Sequence, residues 1–275
     1  MNLLLPVFLT LILLLGASAC VTTPVTPLPQ SPSETTVFTT EELVQVFAMT
    51  DAAIRRYERF RDFDWQLDYF EDAETYTQGV AILSNGVYHV AIRGTTSSNL
   101  LAESRINFSA RARRPRYHAQ DSTFRAHNGF LRRYESVRGE ILRRVFEHRD
   151  HPIVMAGFSA GGAVATLAYF DLLEIAPDLD IRLVTFASPR VLTRRTLSML
   201  RQTLPEERFS TIIRVVNSND PIPTLPPPWL GFRHVGALVQ IGSPRRLLFV
   251  GPTDHYPGMR RRMEELGRAP NIPED

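Results

Sequence analysis

The chain has 275 residues, 44% hydrophobic and 22% charged, with a formal net charge of +2. This is the balance of a globular protein with a full core, and so small an excess of positive charge gives no sign of a nucleic-acid partner. All of the basic side chains are arginine, and the lone cysteine, Cys20, excludes an intrachain disulfide.

From the N-terminus, Leu3 to Leu15 is apolar apart from Pro6 and Thr10. It is too short for a comfortable membrane span and has the length of a signal-peptide core, although no basic residue precedes it. Ala17-Ser18-Ala19 gives the small-x-small pattern of an export cleavage site, and with Cys20 it resembles a bacterial lipobox, with Ala17 where leucine is usual. Residues 1–19 are therefore read as a signal peptide and Cys20 as a lipidation site that anchors the chain to the cell-envelope membrane. A secreted soluble form is the alternative. Residues 20–38 are rich in proline, serine and threonine without apolar periodicity and read as a tether. The remainder, 39–275, reads as one folded domain.

Thr40-Glu41-Glu42 caps a predicted helix whose apolar face takes Leu43, Val44, Phe47, Ala48 and Ile54. Phe60 to Tyr76 has too little pattern to assign. Gln78–Leu83 and Val87–Ile92 flank Asn85-Gly86, a hairpin signal. Asn99 to Arg116 carries Leu100, Leu101, Ile106 and Phe108 and then a run of arginines. Gly129–Arg149 has the period of a long amphipathic helix. Ile153 to Phe158 reads as a buried strand, and an alanine-rich helix follows to about Ile175. Strands at Ile181–Phe186 and Ile212–Val216, a helix over Leu192–Leu200, a strand pair at Val235–Ile241 and Leu247–Val250, and a helix over His255–Leu266 complete the chain. Alternating strands and helices after a hairpin predict one α/β domain with a mixed, mostly parallel sheet.

Between strand and alanine-rich helix stands Gly157-Phe158-Ser159-Ala160-Gly161. G-x-S-x-G between a strand and a helix is the context of a nucleophile elbow, with the helix N-terminus offering N–H groups to an oxyanion. The alternative for Ser159 is a helix cap in a packed turn. A serine nucleophile needs a base and an acid to orient it. Only His234 and His255 follow Ser159. His255 follows the last strand in a loop, whereas His234 at a strand start reads as a packing residue. Of the acids between, Asp220 directly follows a strand, with a turn residue before Pro221 as its alternative; Asp171, Glu174, Asp178 and Asp180 come too early, and Glu206 and Glu207 read as solvated.

Ala91-Ile92-Arg93-Gly94-Thr95, His127-Asn128-Gly129-Phe130, Gly157-Phe158-Ser159-Ala160-Gly161-Gly162, Thr185-Phe186-Ala187-Ser188-Pro189-Arg190 and Arg214-Val215-Val216-Asn217-Ser218-Asn219-Asp220-Pro221 together resemble the fungal-type class 3 lipases, in the same order from about Val80 onward. The resemblance implies an α/β-hydrolase fold and a serine carboxylic-ester hydrolase acting through an acyl-enzyme, with no metal or organic cofactor. Ser159 would be the nucleophile, His255 the base and Asp220 the acid; Thr95 and the Ala160 N–H would form the oxyanion hole. His127 carries no catalytic role across. Phe158 and Ala160 replace the histidine and leucine of the usual G-H-S-L-G-G, which bears on pocket shape and substrate. The segment after Thr95 corresponds to the family's lid, in which Leu100 and Leu101 would cover an acyl site or pack as a surface helix. Arg105, Arg111, Arg113, Arg114 and Arg116 would meet anionic lipid headgroups or line a solvated loop. Phospholipase, feruloyl-type esterase and a catalytically silent lipid-binding protein on the same scaffold remain alternatives.

Overall fold

In the computed structural model, residues 38–55, 67–94, 111–242 and 255–268 are described. The apolar leader, Cys20, the tether from 21 to 36, Thr95, Leu100, Leu101, Arg105 and the strand expected at Leu247–Val250 lie outside them.

The described elements are α1 (Thr40–Arg55), β1 (Asp68–Asp72), β2 (Thr77–Ser84), β3 (Val87–Ile92), β4 (Ala112–Arg113), β5 (Ala126–His127), α2 (Asn128–Glu147), β6 (Ile153–Phe158), α3 (Ala160–Ile175), β7 (Ile181–Phe186), β8 (Leu192–Thr193), α4 (Arg194–Thr203), α5 (Glu206–Ser210), β9 (Ile212–Asn217), β10 (Phe232–Arg233), β11 (Ala237–Ile241) and α6 (Tyr256–Arg268). Seven strands form one sheet in the order β1-β2-β3-β6-β7-β9-β11. The first three pair antiparallel, and all later neighbours run parallel. This is an α/β-hydrolase fold. The two-residue strands β10, β8, β5 and β4 form a second small sheet.

Strand period sorts the core into two layers. Ile153 and Met155 of β6, with Ile181 and Leu183 of β7, face α2 and α3. Val154, Ala156, Phe158, Val184 and Phe186 face α1 and α6 through Val46, Phe47, Met49, Met259 and Met263. Strands buried on both faces read as continuous apolar runs, which is why β6 and β7 are plain in the sequence. Helix α3 is buried from Ala160 to Leu173. Within that layer Asp171 accepts hydrogen bonds from Tyr134 Oη and from Arg138 Nε at 2.7 Å. An unpaired carboxylate in that place would cost about 3–5 kcal/mol.

The hairpin turn has positive φ at both Asn85 (51°) and Gly86 (76°), as a two-residue primed turn requires. Other expectations shift. The box capping α1 is built by Thr39, not Thr40: Thr39 N donates to Glu42 Oε2 at 2.7 Å and Glu42 N to Thr39 Oγ1 at 3.1 Å. Phe38, placed by its sequence at the end of the tether, is 2% exposed and packs in the α1 layer under the Arg182 guanidinium. The unassigned aromatic stretch contains edge strand β1. The helix expected from Leu192 begins two residues later, because Leu192 and Thr193 pair with β10 and Thr193 Oγ1 caps α4 by accepting from Thr196 N. Of the expected closing strand pair, β11 runs parallel to β9.

His89 in β3 and His127 in β5 are buried, and Nδ1 of each has no hydrogen-bond partner. Burial, reinforced at His89 by Arg182, pushes both imidazoles down to about 4. Below pH 6.5 the unfolded chain takes up protons that the folded chain refuses, so stability is lost as the pH falls from about 6.5 towards about 4. Each histidine contributes a slope of about 1.4 kcal/mol per pH unit. Urea unfolding of His127→Leu between pH 7 and 4.5 is expected to show a slope smaller by that amount. An unchanged slope would contradict the assignment.

Candidate active site

The centre of the site is the junction of β6 and α3. Ser159 has φ 54° and ψ −125°, a left-sided backbone that an L-residue adopts only under constraint, at about 1–3 kcal/mol. The constraint is visible. Ser159 N donates to Phe186 O at 2.8 Å, while Gly162 N turns back to Ser159 O at 3.0 Å. The turn also requires near contact of backbones: a Cβ on Gly157 would lie 2.3 Å from Gly161 O, and one on Gly161 would lie 2.2 Å from Ile92 O. The first and last glycines of G-x-S-x-G are therefore dictated by space. Ala160 is the first residue of α3, where an N–H has no acceptor within its own helix.

Ser159 Oγ donates to His255 Nε2 at 2.8 Å, and His255 Nδ1 donates to Asp220 Oδ2 at 2.7 Å. The Asp220 side chain is fully buried and that of His255 is 19% exposed. Asp220 follows β9, and its second oxygen, Oδ1, accepts from Ile222 N at 2.9 Å. With both oxygens engaged, the carboxylate is fixed in rotation and holds the imidazole with Nδ1 protonated and Nε2 open to the hydroxyl. His255 immediately precedes α6, and its carbonyl accepts from Met259 N at 3.1 Å. Tyr256 Oη donates to Asp51 of α1, fixing the start of that helix.

The loop after Asp220 is held from the side. Arg190 N donates to Leu225 O at 2.7 Å, Arg190 Nη1 to Pro226 O at 3.0 Å, and His234 Nε2 to Pro223 O at 2.8 Å. His234, the other histidine after Ser159, is thereby committed to the backbone and is not the base at this serine. Asp171 is likewise occupied within the α2–α3 layer.

Phe158 stands beside the base expected from the sequence. Its ring lies in the α1 layer, 4.7 Å from the His255 ring and 5.5 Å from that of Tyr256. It is the wall against which the imidazole rests. The sequence offered no signal for this, because the contact depends on where the last helix docks. His127 packs between Phe130 and Phe232, at 4.5 and 5.3 Å, consistent with a structural part. Gly94, last described residue before Thr95, lies so near the serine that a Cβ there would be 2.8 Å from Ser159 Cβ. The arginine run divides. Arg113 turns inward, gripping Glu135 at 2.7 and 3.1 Å and Asn128 at 2.8 Å, and Arg114 binds His118 O at 2.9 Å. These two are engaged within the fold. Arg111 and Arg116 remain outward-facing.

A hydroxyl bonded to an imidazole that is oriented by a buried carboxylate can be deprotonated as it attacks an electrophilic carbon. The sequence profile of the Lipase (class 3) family matches residues 89–229. A secreted mono- and diacylglycerol lipase of Fusarium solani is 34% identical over 132 residues, covering 46% of this chain and 35% of its own. A chloroplastic phospholipase A(1) of Arabidopsis thaliana is 33% identical over 112 residues, 36% of this chain and 24% of its own. The chain thus spans about a third of the length of the curated relatives it matches. The solved structure of lipase II from Rhizopus niveus superposes with a TM-score of 0.59 at 23% identity, covering 75% of this chain and 83% of that one, a likeness of fold.

Gly161→Ala is expected to cost about 3 kcal/mol or more, because the added Cβ meets the Ile92 carbonyl, part of a central strand that has no room to move. Chemical denaturation checks the loss. A variant as stable as the parent would show that the elbow is looser than these distances.

Proposed function

Because the chain belongs to the class 3 lipase family, we propose that it is a serine carboxylic-ester hydrolase acting on lipid esters through an acyl-enzyme. The observation that carries this reading is the continuous hydrogen-bonded path Ser159–His255–Asp220 at 2.8 and 2.7 Å, hung on a strained serine at the start of a helix. Ser159 Oγ attacks the ester carbonyl carbon while its proton passes to His255 Nε2. The negative charge on the tetrahedral oxygen is met by the Ala160 N–H and by Thr95, whose part rests on the family resemblance. The intermediate collapses, His255 hands the proton to the departing alkoxide, and the acyl group stays on Ser159. A water, deprotonated by the same imidazole, then releases the acid. Asp220 remains ionised and stabilises the imidazolium formed in each half.

Ser159→Ala is expected to lower turnover of a short p-nitrophenyl ester by about 10⁴-fold or more, and Asp220→Asn by about 10⁴-fold. Turnover of the parent falls on acidification, since a protonated imidazole accepts no proton. Activity of Ser159→Ala within tenfold of the parent sinks the mechanism. Labelling by a fluorophosphonate probe separates an enzyme from a silent lipid-binding protein on the same scaffold.

A phospholipase is the second reading, favoured by the similarity to the Arabidopsis phospholipase A(1). Release of fatty acid from triacylglycerol, diacylglycerol and phospholipid micelles, with a feruloyl ester beside them, distinguishes these substrates. We also propose export through residues 1–19, followed by lipidation of Cys20 and a tethered domain from residue 39. Three of the relatives are named as secreted lipases, in keeping with export, and the secreted soluble form is the alternative. Intact mass of the native protein is expected to give a chain beginning at an acylated Cys20. A retained Met1 or an unmodified Cys20 refutes the anchor.

A further inference from the structure

Beside the loop that carries Asp220 lies a cluster of cationic side chains with no part in the mechanism above. Arg214 stands in the middle of β9. Its neighbours Ile213 and Val215 face the α1 layer and Ile212 faces the α3 layer, so Arg214 lies on the α3 side. Thr185 is its direct partner on β7 and shares that face with Leu183. Thr185 is 2% exposed, and neither its Oγ1 nor the buried Nε of Arg214 has a hydrogen-bond partner. Arg190 and His234 approach from the loops after β7 and β10. The charge of Arg190 bears on Arg214, and those of both arginines bear on His234.

The two charged groups, Arg190 and Arg214, are of one sign. Burial, then Arg190, lowers Arg214 to about 10; burial, then Arg214 and Arg190, outweighs the Pro223 carbonyl and pushes His234 down to about 3, so its ring stays neutral. Among the described residues, the charges acting on Arg214 and Arg190 are only positive. Arg214 as a whole is half-buried, but its Nε and the Thr185 hydroxyl are both buried, and buried donors without partners are unfavourable unless something fills the place. The strand on the other side of β9 does not fill it: the residue in register with Arg214 there is Leu238, 53% exposed.

We propose that Arg214 and Thr185 hold a small monovalent inorganic anion of the halide class, which supplies the counter-charge that no neighbouring strand among the described residues provides. The guanidinium Nε and the threonine hydroxyl are its two unspent donors. Arg190 and His234 also hold the carbonyls of Pro226 and Pro223. The bound anion therefore braces β9, the strand that leads into the loop carrying Asp220.

Chloride is the probe. Thermal unfolding of the full chain is compared in sodium chloride and in the bulky sodium gluconate at equal ionic strength. A saturable rise in Tm specific to chloride is expected, roughly 5–10 °C at a hundred times the dissociation constant. Leu238→Glu places a carboxylate beside Arg214 and abolishes the chloride response, while Thr185→Val folds and binds more weakly. Bromide in the crystal gives an anomalous peak within hydrogen-bonding distance of Arg214 and Thr185. Identical melting in the two salts overturns the proposal, as does a Leu238→Glu variant with the full chloride response.

Discussion

Everything in this molecule turns on how closely the backbone of α3 can approach the ends of β3 and β6. Gly157 and Gly161 permit carbonyl contacts that a single methyl group would forbid. That proximity bends the chain at Ser159 into a conformation it would not choose, and the Phe186 carbonyl holds it there. The strain has a use. It lifts the serine side chain off the sheet and into the path of an imidazole, while the next N–H stays at the open end of a helix.

The rest of the site is supplied by the parallel half of the sheet. Parallel strands end at one edge, so the loops after β6 and β9 emerge together, and the serine and the aspartate need no long side chains to meet the same histidine. The acid is buried with both oxygens bonded, and its loop is pinned by three donors from Arg190 and His234. The histidine is the most exposed of the three. Orientation is thus concentrated in the buried partners, and the group that must exchange protons is the one nearest solvent.

Much of this can be read in the chain before folding. The β6–α3 junction shows as an apolar run, a glycine-bracketed serine and an alanine-rich helix, because each is a local response to burial or crowding. Asp220 and His255 are identified by their order after strands. Edge strand β1 hides because its single buried side chain, Phe70, sits among acids, and the one-turn α5 is too short for periodicity. The contact of Phe158 with His255 and the assembly of Arg214 with Thr185 are invisible for another reason. They join residues far apart in sequence whose adjacency exists only through sheet order and helix docking.

That dependence on docking fixes when the site exists at all. Ser159 and His255 come from opposite ends of the fold's second half, and the helix after His255 is seated by α1 at the start of the domain through Met259, Met263 and the Tyr256–Asp51 bond. Until the last segment of the chain has closed on the first, the serine is an ordinary alcohol beside no base. An unfinished or partly threaded chain therefore holds the serine without its imidazole, and the hydrogen-bonded path from Ser159 to Asp220 is a mark of completed folding that is lost when the terminal helix lifts away.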